Sequence, residues 1–553
     1  MNEVSAEASP EGRKKWLSLW VLAGALSMIV LDGTIVSVAL PTMISDLSLD
    51  FSEAQWVNGI YSVIFAALLL TSGRLGDRVG RRNLMVAGVV LFMVGSIIAS
   101  MAADGDQLIF ARFIQGIGGA FILPTTLSTV NATFHGRDRA VAFGVWGAII
   151  SGVAALGPLL GGWLTEAFSW PWIFLVNIPF GAVILVATFL YVPETRAKIL
   201  VPGLDIGGLL LSTIGFGALV FGLIEGGSLG WWAPITSFEI LGFTWSTSWP
   251  LSLAPICIAI GLLCLTLFVP WERHRARANK SAILDLTLFQ FATFRWGNLV
   301  AFCVAIGEFG ILFVLPLFIV NAMGMSTLLA GSILAAMGIG AFISGASARH
   351  LAARFGAPTV VVIGLALEIV GALLVSFILA PTISGWLLAG VLAFYGLGLG
   401  LASAQLAGTV LVDVPPEESG QGSATQSTSR QVGSALGTAI IGAALAAGLA
   451  YYLPTQLATV DGLSSSSAAQ IEASTEDSAG SSITQIRDSG TTGQLGSEGP
   501  AVADALSAGM ADASRWALWT AAGFLVIGGL GSLQLRARSK DSAGQQAIDA
   551  DTP

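Results

Sequence analysis

Two ionisable side chains stand inside apolar runs where a chain keeps a charge mainly for use. Asp32 lies in the run 16–44 and Arg112 in the run 108–131. Counted from the acidic ends of those runs, Asp32 is about twelve residues deep, roughly 18 Å, and Arg112 about six, roughly 9 Å. A long guanidinium stem could close most of that difference. A charge at mid-membrane costs at least ~2.5 kcal/mol, so each needs a partner. Two readings stay open: a static Asp–Arg pair that locks two helices, or a titrating site. In the second, apolar burial raises the aspartate pKa and the arginine or a cationic substrate lowers it. Glu308, about twelve residues into the run 296–320, could hold a proton or bind a cation. Glu368 in the run 358–380 reads as a structural or interfacial pair, and Glu225 as a solvated helix end. Tyr395 and Gln405 in the Gly-rich run 385–411 could offer hydrogen bonds to a substrate, or serve as polar glue between helices.

The stretch Gly73-Arg74-Leu75-Gly76-Asp77-Arg78-Val79-Gly80-Arg81-Arg82-Asn83 lies between the apolar runs 54–72 and 84–103, each long enough to cross a bilayer of about 30 Å. Four arginines and one aspartate in eleven residues keep this joint in water. The glycines permit a tight helix-to-helix turn, and Asp77 is placed to cap a helix or pair with an arginine.

These residues must be positioned by membrane helices. The chain has 553 residues, 54% hydrophobic and only 11% charged, against about 25% charged in a soluble globular chain. Some fourteen apolar runs follow one another, an even number that puts both termini on one side. Basic residues alternate onto that side: Arg13 to Lys15, the 74–82 joint, Arg137 with Arg139, Arg196 with Lys198, the 273–280 cluster, Arg349 with Arg354, Arg430, and Arg536 to Lys540. The opposite loops carry mainly acids, Asp46, Asp50, Glu53, Asp104, Asp106 and Glu166. The positive-inside rule therefore predicts cytoplasmic termini in a multi-pass cytoplasmic-membrane protein. The run after Arg13–Lys15 has no A-x-A site and is read as a retained first helix.

Two segments break the rhythm. Residues 226–249 form an outer loop whose Trp231, Trp232, Trp245 and Trp249 read as interfacial anchors. Residues 453–513, rich in Ser, Thr, Gly and Ala with eight acids and the single Arg487, are expected to be disordered, with at most a short helix near 500–512. The run Arg349-His350-Leu351-Ala352-Ala353-Arg354-Phe355-Gly356 looks like a worn copy of the 73–83 joint, with Ala353 at the place of Asp77. The copy predicts two related six-helix halves, 1–195 and 285–545, with two inserted linker helices in 196–284.

Taken together, the joint's pattern G-x-L-x-D-R-x-G-R-R resembles the signature loop of the major facilitator superfamily. Leu31-Asp32-Gly33-Thr34-Ile35-Val36-Ser37-Val38-Ala39-Leu40-Pro41 resembles the first-helix motif of the fourteen-helix drug:proton antiporters, with Ser37 where that family usually has Asn. Arg112-Phe113-Ile114-Gln115-Gly116 is similar to its R-x-x-Q-G motif, and Gly157-Pro158-Leu159-Leu160-Gly161-Gly162 to its antiporter motif. The resemblance implies an all-α major facilitator fold of two six-helix bundles plus two inserted helices. It also implies a proton-coupled exporter of hydrophobic or amphipathic, often cationic, drugs. Asp32, Arg112 and Glu308 would serve proton coupling. Gly73, Asp77, Arg78, Gly80, Arg81 and Arg82 would form a conformational switch. Gly157, Pro158, Gly161 and Gly162 would make the antiporter seam, and Gln115, Glu308, Tyr395 and Gln405 would line a cavity. Export of an endogenous lipid or metabolite is the alternative within transport, and a non-transporting membrane sensor or scaffold the distant one. No P-loop or nucleophile–base constellation is present, so neither ATP-driven transport nor an enzyme is expected. Cys257, Cys264 and Cys303 lie in apolar segments and the three histidines are scattered, so no metal and no cofactor are expected. The expected partners are small hydrophobic molecules, protons and the lipid bilayer, with no nucleic acid, and the chain is expected to act as a monomer.

Overall fold

The computed structural model describes residues 10–134, 136–196, 203, 205–240, 243–278, 280–415 and 418–551. In chain order the long helices are α1 (Pro10–Leu47), α2 (Phe51–Val79), α3 (Arg81–Ser100), α4 (Gly105–Thr133), α5 (Gly136–Ala167) and α6 (Asn177–Tyr191, after a single turn at Trp172–Leu175). Next come α7 (Ile206–Ile224), α8 (Leu253–Arg277), α9 (Ala292–Leu317), α10 (Thr327–Phe355), α11 (Ala357–Ile378), α12 (Gly385–Val410) and α13 (Ser419–Leu457). Two short helices, α14 (Ser465–Asp477) and α15 (Ser481–Ser489), precede α16 (Gly499–Asp551). Among the described residues, thirteen helices are long and apolar enough to cross a membrane. The fourteen expected spans correspond to those and α5, a further helix of 32 residues.

Helix starts are set by capping. Asp50 accepts from the Glu53 backbone N–H at 2.7 Å while the Glu53 carboxylate accepts from the Asp50 N–H at 2.9 Å, a reciprocal box that opens α2. Asp104 does the same work for α4, accepting from Gln107 N–H at 2.8 Å. Acids of the acidic loops thus also satisfy orphan helix N–H groups and complement the helix dipole.

α1 to α6 pack into one bundle, and α9 to α13 with α16 into another. The two meet along α5 against α10 and α2 against α13. The inserted α7 and α8 pair with each other, and α7 lies over the groove where α2 meets α13. Val63 and Ala66 of α2, Val220 and Ile224 of α7, and Val432, Ala435 and Ala439 of α13 close that groove as one apolar cluster. Glu225, expected to be merely solvated, accepts from Trp56 Nε1 at 2.7 Å and so ties the end of α7 to α2. In the loop that follows, β1 (Phe238–Ile240) and β2 (Phe243–Trp245) form a small antiparallel hairpin.

The turn at Gly80 carries α2 straight into α3 with φ 114°, and the turn at Gly356 carries α10 into α11 with φ 83°. Both values lie where an L side chain is strained. The two joints that look alike in sequence therefore use the same backbone device.

Residues 453–513 depart from the expected disorder. They fold into the end of α13, α14, α15 and the start of α16, with Ile483, Val502, Leu506 and Met510 fully buried. The cause is positional. The segment has few apolar residues, but Val502, Leu506 and Met510 recur every four residues along the first turns of α16, Ile483 lies on α15, and Ser464 caps α14. The chain after α9 continues as a π-helical turn, Phe318–Ala322, which frees backbone carbonyls. Arg487 donates to Asn321 O at 3.1 Å and Ala322 O at 2.8 Å, and Asn321 Nδ2 donates to Ala479 O at 3.1 Å. One arginine therefore ties the cap to the second bundle.

Within this cap, Glu476 has a buried oxygen, Oε1, with no hydrogen-bond partner among the described residues. Burial, aided by Glu472 and Asp477, pushes its carboxyl up from 4.5 to about 7. A carboxyl raised on folding stabilises the folded form while protonated, and that contribution is lost as pH rises through about 7. Proteolysis or hydrogen exchange of residues 465–489 is therefore expected to quicken from acidic to mildly alkaline buffer. The Glu476→Gln variant should lose that dependence. A cap equally protected at both pH values would refute this account.

Candidate functional site

Asp32 and Arg112 meet at the centre of the first bundle and are both buried, at 0% and 1% exposure. Arg112 Nη1 donates to Asp32 Oδ2 in a close ion pair. Its Nη1 also donates to Gln115 Oε1 at 2.8 Å, and its Nε to the carbonyl of Val57 at 3.1 Å. The other carboxylate oxygen, Oδ1, accepts from Gln115 Nε2 at 3.2 Å and Asn177 Nδ2 at 3.3 Å. Both amides also reach Ser96 Oγ, at 2.8 and 3.2 Å. The Tyr61 ring lies 4.5 Å from the guanidinium carbon and the Phe174 ring 6.0 Å away. Five helices thus contribute to one cage. A buried ion pair so completely bonded resists disruption, since removing one partner strands the other charge at about 3–5 kcal/mol.

Gln115, expected to line a cavity, belongs to this cage and is fully buried. Ser96, Asn177 and Tyr61 were not among the expected residues. Ser96 and Asn177 carried a signal, each being a hydrogen-bonding side chain within an apolar run. Nothing in the spacing told that they converge.

The second bundle holds a looser pair. Glu308 of α9 accepts from Arg430 Nη2 at 2.9 Å. Arg430, expected among the loop charges of the basic side, lies instead within α13, its side chain 44% exposed. Glu368 on α11 does not form the expected pair: it is fully buried and neither carboxylate oxygen has a hydrogen-bond partner among the described residues. Tyr395 is buried with its hydroxyl likewise unpartnered. Gln405 lies half-buried on the same helix. Neither hydrogen-bonds to Glu308 or Arg430 among the described residues.

The glycines of α5 serve two seams. A Cβ on Gly157 would strike Thr34 Oγ1, and one on Gly161 would come 2.8 Å from Ile35 O, both on α1. Gly162 faces the other bundle, where a Cβ would stand 2.6 Å from Thr327 O. Reciprocally, a Cβ on Gly331 would lie 2.3 Å from Pro158 O. Thr42 and Thr327 share a hydrogen bond of 3.1 Å, and Glu166 accepts from Leu328 N–H at 3.0 Å. The contacts that cross between bundles, at Gly162, Gly331, Thr42–Thr327 and Glu166–Leu328, lie towards the acidic end, so the bundles are zipped together there.

At the basic end, Asp77 accepts from Arg81 Nε at 3.1 Å and Nη2 at 2.8 Å, and Arg81 Nη1 donates to Ser128 O at 3.0 Å. Glu194, another residue not foreseen, accepts from Arg82 N–H at 3.2 Å. A Cβ on Gly80 would meet its carboxylate at 2.6 Å. Arg74 donates to Ala282 O at 3.2 Å and Arg78 to Gly203 O at 2.6 Å, so the joint also grips the linker segments. Gly73 packs on Pro124 of α4, where a Cβ would come 3.7 Å from the ring.

The chain matches the family model of the Major Facilitator Superfamily over residues 22–438. It is 32% identical to the methylenomycin A resistance protein of Bacillus subtilis, over 77% of this chain and 86% of that one. It is also 32% identical to the multidrug resistance protein Stp of Mycobacterium tuberculosis, over 80% of this chain and 78% of the other. Among solved structures it resembles a bacterial homologue of the human lysosomal transporter Spinster in an inward-facing, unoccupied conformation. The TM-score is 0.59 with 17% identity, covering 96% of this chain and 98% of that one. At that identity the likeness speaks for the fold.

Proposed function

We propose that this chain, which belongs to the major facilitator superfamily, is a proton-coupled exporter of hydrophobic or amphipathic small molecules, often cationic, across the cytoplasmic membrane. The observation that carries the reading is the cage around Asp32. A carboxylate held by one guanidinium and two amides in a dry bundle is a group whose charge can be cancelled either by a proton or by a substrate cation. The antibiotic and multidrug resistance named for the relatives supports the substrate class. With the arginine-rich joint in the cytoplasm, the zipped acidic end closes the outer face. In the proposed cycle, a proton reaches Asp32 when the outer face opens. The neutral site then returns inward, and cytoplasmic substrate favours release of the proton. Glu308, with its half-exposed Arg430, is a second carrier or a substrate contact in the other bundle. The alternation rests on the seams that glycines make close, and the Asp77–Arg81 pair holds the joint in this conformation.

The test is direct. Purified protein in proteoliposomes is given lipophilic cations or antibiotics, and proton release is followed with a pH dye. Release that saturates with substrate is expected. Transport without any proton movement would remove the coupling while leaving an exporter.

A further inference from the structure

At the basic end of the inserted helices two carboxyl groups face each other away from water. Asp205 caps α7 and is 5% exposed; Glu272, near the end of α8, is 0% exposed. Asp205 Oδ1 accepts from Gly208 N–H at 2.8 Å and Trp271 Nε1 at 2.9 Å. Glu272 Oε2 accepts from Leu284 N–H at 3.1 Å. The remaining oxygens, Asp205 Oδ2 and Glu272 Oε1, are both buried without a hydrogen-bond partner among the described residues. They converge on one point: a Cβ on Gly208 would lie 2.3 Å from Glu272 Oε1 and 2.8 Å from Asp205 Oδ2.

Among the described residues, one cation faces this pair. Arg275 Nε stands 3.4 Å from Asp205 Oδ2, and the same side chain donates to Ser281 O at 2.9 and 2.7 Å. Arg273, His274 and Arg277 of α8 and Lys280 beyond it are exposed. Asp285 is occupied with Thr287. From α2, Arg74 and Arg78 reach the carbonyls of Ala282 and Gly203. One nearby guanidinium can balance one carboxylate, not two. Two ionised carboxylates in contact repel, and a buried charge without a partner is costly.

We propose that Asp205 and Glu272 share a single proton, and that the protonated pair is a latch fixing the inserted helices to the arginine-rich joint between α2 and α3. The proton sits on Glu272 Oε1 and is donated to Asp205 Oδ2, because Asp205 already has two donors and Arg275 to hold its charge. The latch is flanked on both sides by the joint's own grips: Gly203 two residues before Asp205, and Ala282 two residues before Leu284. Loss of the proton leaves two adjacent charges, pushes the start of α7 from α8, and loosens the carbonyls that Arg74 and Arg78 hold. An alkaline aqueous phase at the basic end would therefore release the joint.

The test uses the full-length purified protein and its Glu272→Gln and Asp205→Asn variants. A group that is protonated when folded and ionised when unfolded makes stability fall as pH rises. The wild type is expected to lose thermal stability towards alkaline pH. Glu272→Gln, whose amide donates at any pH, should lose the share of that slope due to one bound proton. Infrared spectra should show a protonated-carboxyl band in the wild type at neutral pH that Glu272→Gln lacks. If Glu272→Gln does not fold, Asp205→Asn is read instead: Arg275 then has Glu272 as its carboxylate partner, so part of the slope should be lost. Variants that keep the full wild-type slope, together with an unchanged infrared band, would overturn the proposal.

Discussion

Asp32→Asn is expected to abolish accumulation of substrate against a gradient, by at least about tenfold, while downhill movement survives in part. Asparagine imitates only the neutral state of the carboxyl, so it cannot take up and release a proton. Substrate-triggered proton release should vanish with uphill transport. The geometry adds a second consequence. Asp32 accepts from Arg112, Gln115 and Asn177 together; an amide can accept on one atom only, and its NH2 would confront donors. Arg112 is left with Val57 O and Gln115 for partners and no counter-charge, at about 3–5 kcal/mol, so a lower melting temperature should accompany the loss. Arg112→Ala should fail for the converse reason, stranding the carboxylate, and Arg112→Lys should rescue partly, restoring charge but not the planar fork. Proton-driven uptake into inverted vesicles, with binding measured separately on each variant, decides the matter. Full uphill transport by Asp32→Asn would move the coupling role to Glu308.

Gly331→Leu is expected to have the next largest effect, through packing rather than charge. The α5–α10 seam has no room for a Cβ at 331, where the nearest atom is the Pro158 carbonyl oxygen at 2.3 Å. That oxygen is backbone and cannot swing aside. Leucine must push α10 away from α5 and break the zip at Thr42–Thr327 and Glu166–Leu328. A cysteine placed at position 42 should then react much faster with a membrane-impermeant thiol reagent from the acidic side. Transport should fall at least about tenfold, since one of two alternating states is removed. Gly331→Ala should show both effects in milder form. Unchanged labelling and transport in Gly331→Leu would mean that the seam yields easily.

Much of this arrangement can be read from sequence, because the bilayer restricts what the chain can do. The long apolar runs had to be helices, and a lone aspartate and a lone arginine inside them had to find each other. What could not be read depends on which faces of helices turn together. Ser96 and Asn177 are ordinary polar residues in their own runs, and only packing brings them to one carboxylate. Arg430 begins the thirteenth apolar run and looked like a loop charge, but α13 starts eleven residues earlier, at Ser419. The cap is invisible to composition because composition averages over position. Ile483, Val502 and Leu506 are too few to raise that average, yet each is fully buried, and Arg487 finds carbonyls that only the π-turn exposes. Glu368 had a sequence signal for a partner, and none materialises among the described residues.

The ion pair at the heart of the first bundle also sets a problem of biosynthesis. Asp32 and Arg112 are separated by 80 residues, and at ~5–20 residues per second a ribosome needs roughly 4–16 s to travel between them. For that interval α1 lacks the arginine with which its aspartate pairs. It enters the bilayer carrying its aspartate against an insertion cost of about 2.5–3.5 kcal/mol, offset by the leucines, valines and isoleucines around it. Glu308 waits longer, since Arg430 follows 122 residues later. Each bundle is therefore born with an unanswered acid, and the helix that answers it must arrive from the ribosome while the first is still within reach.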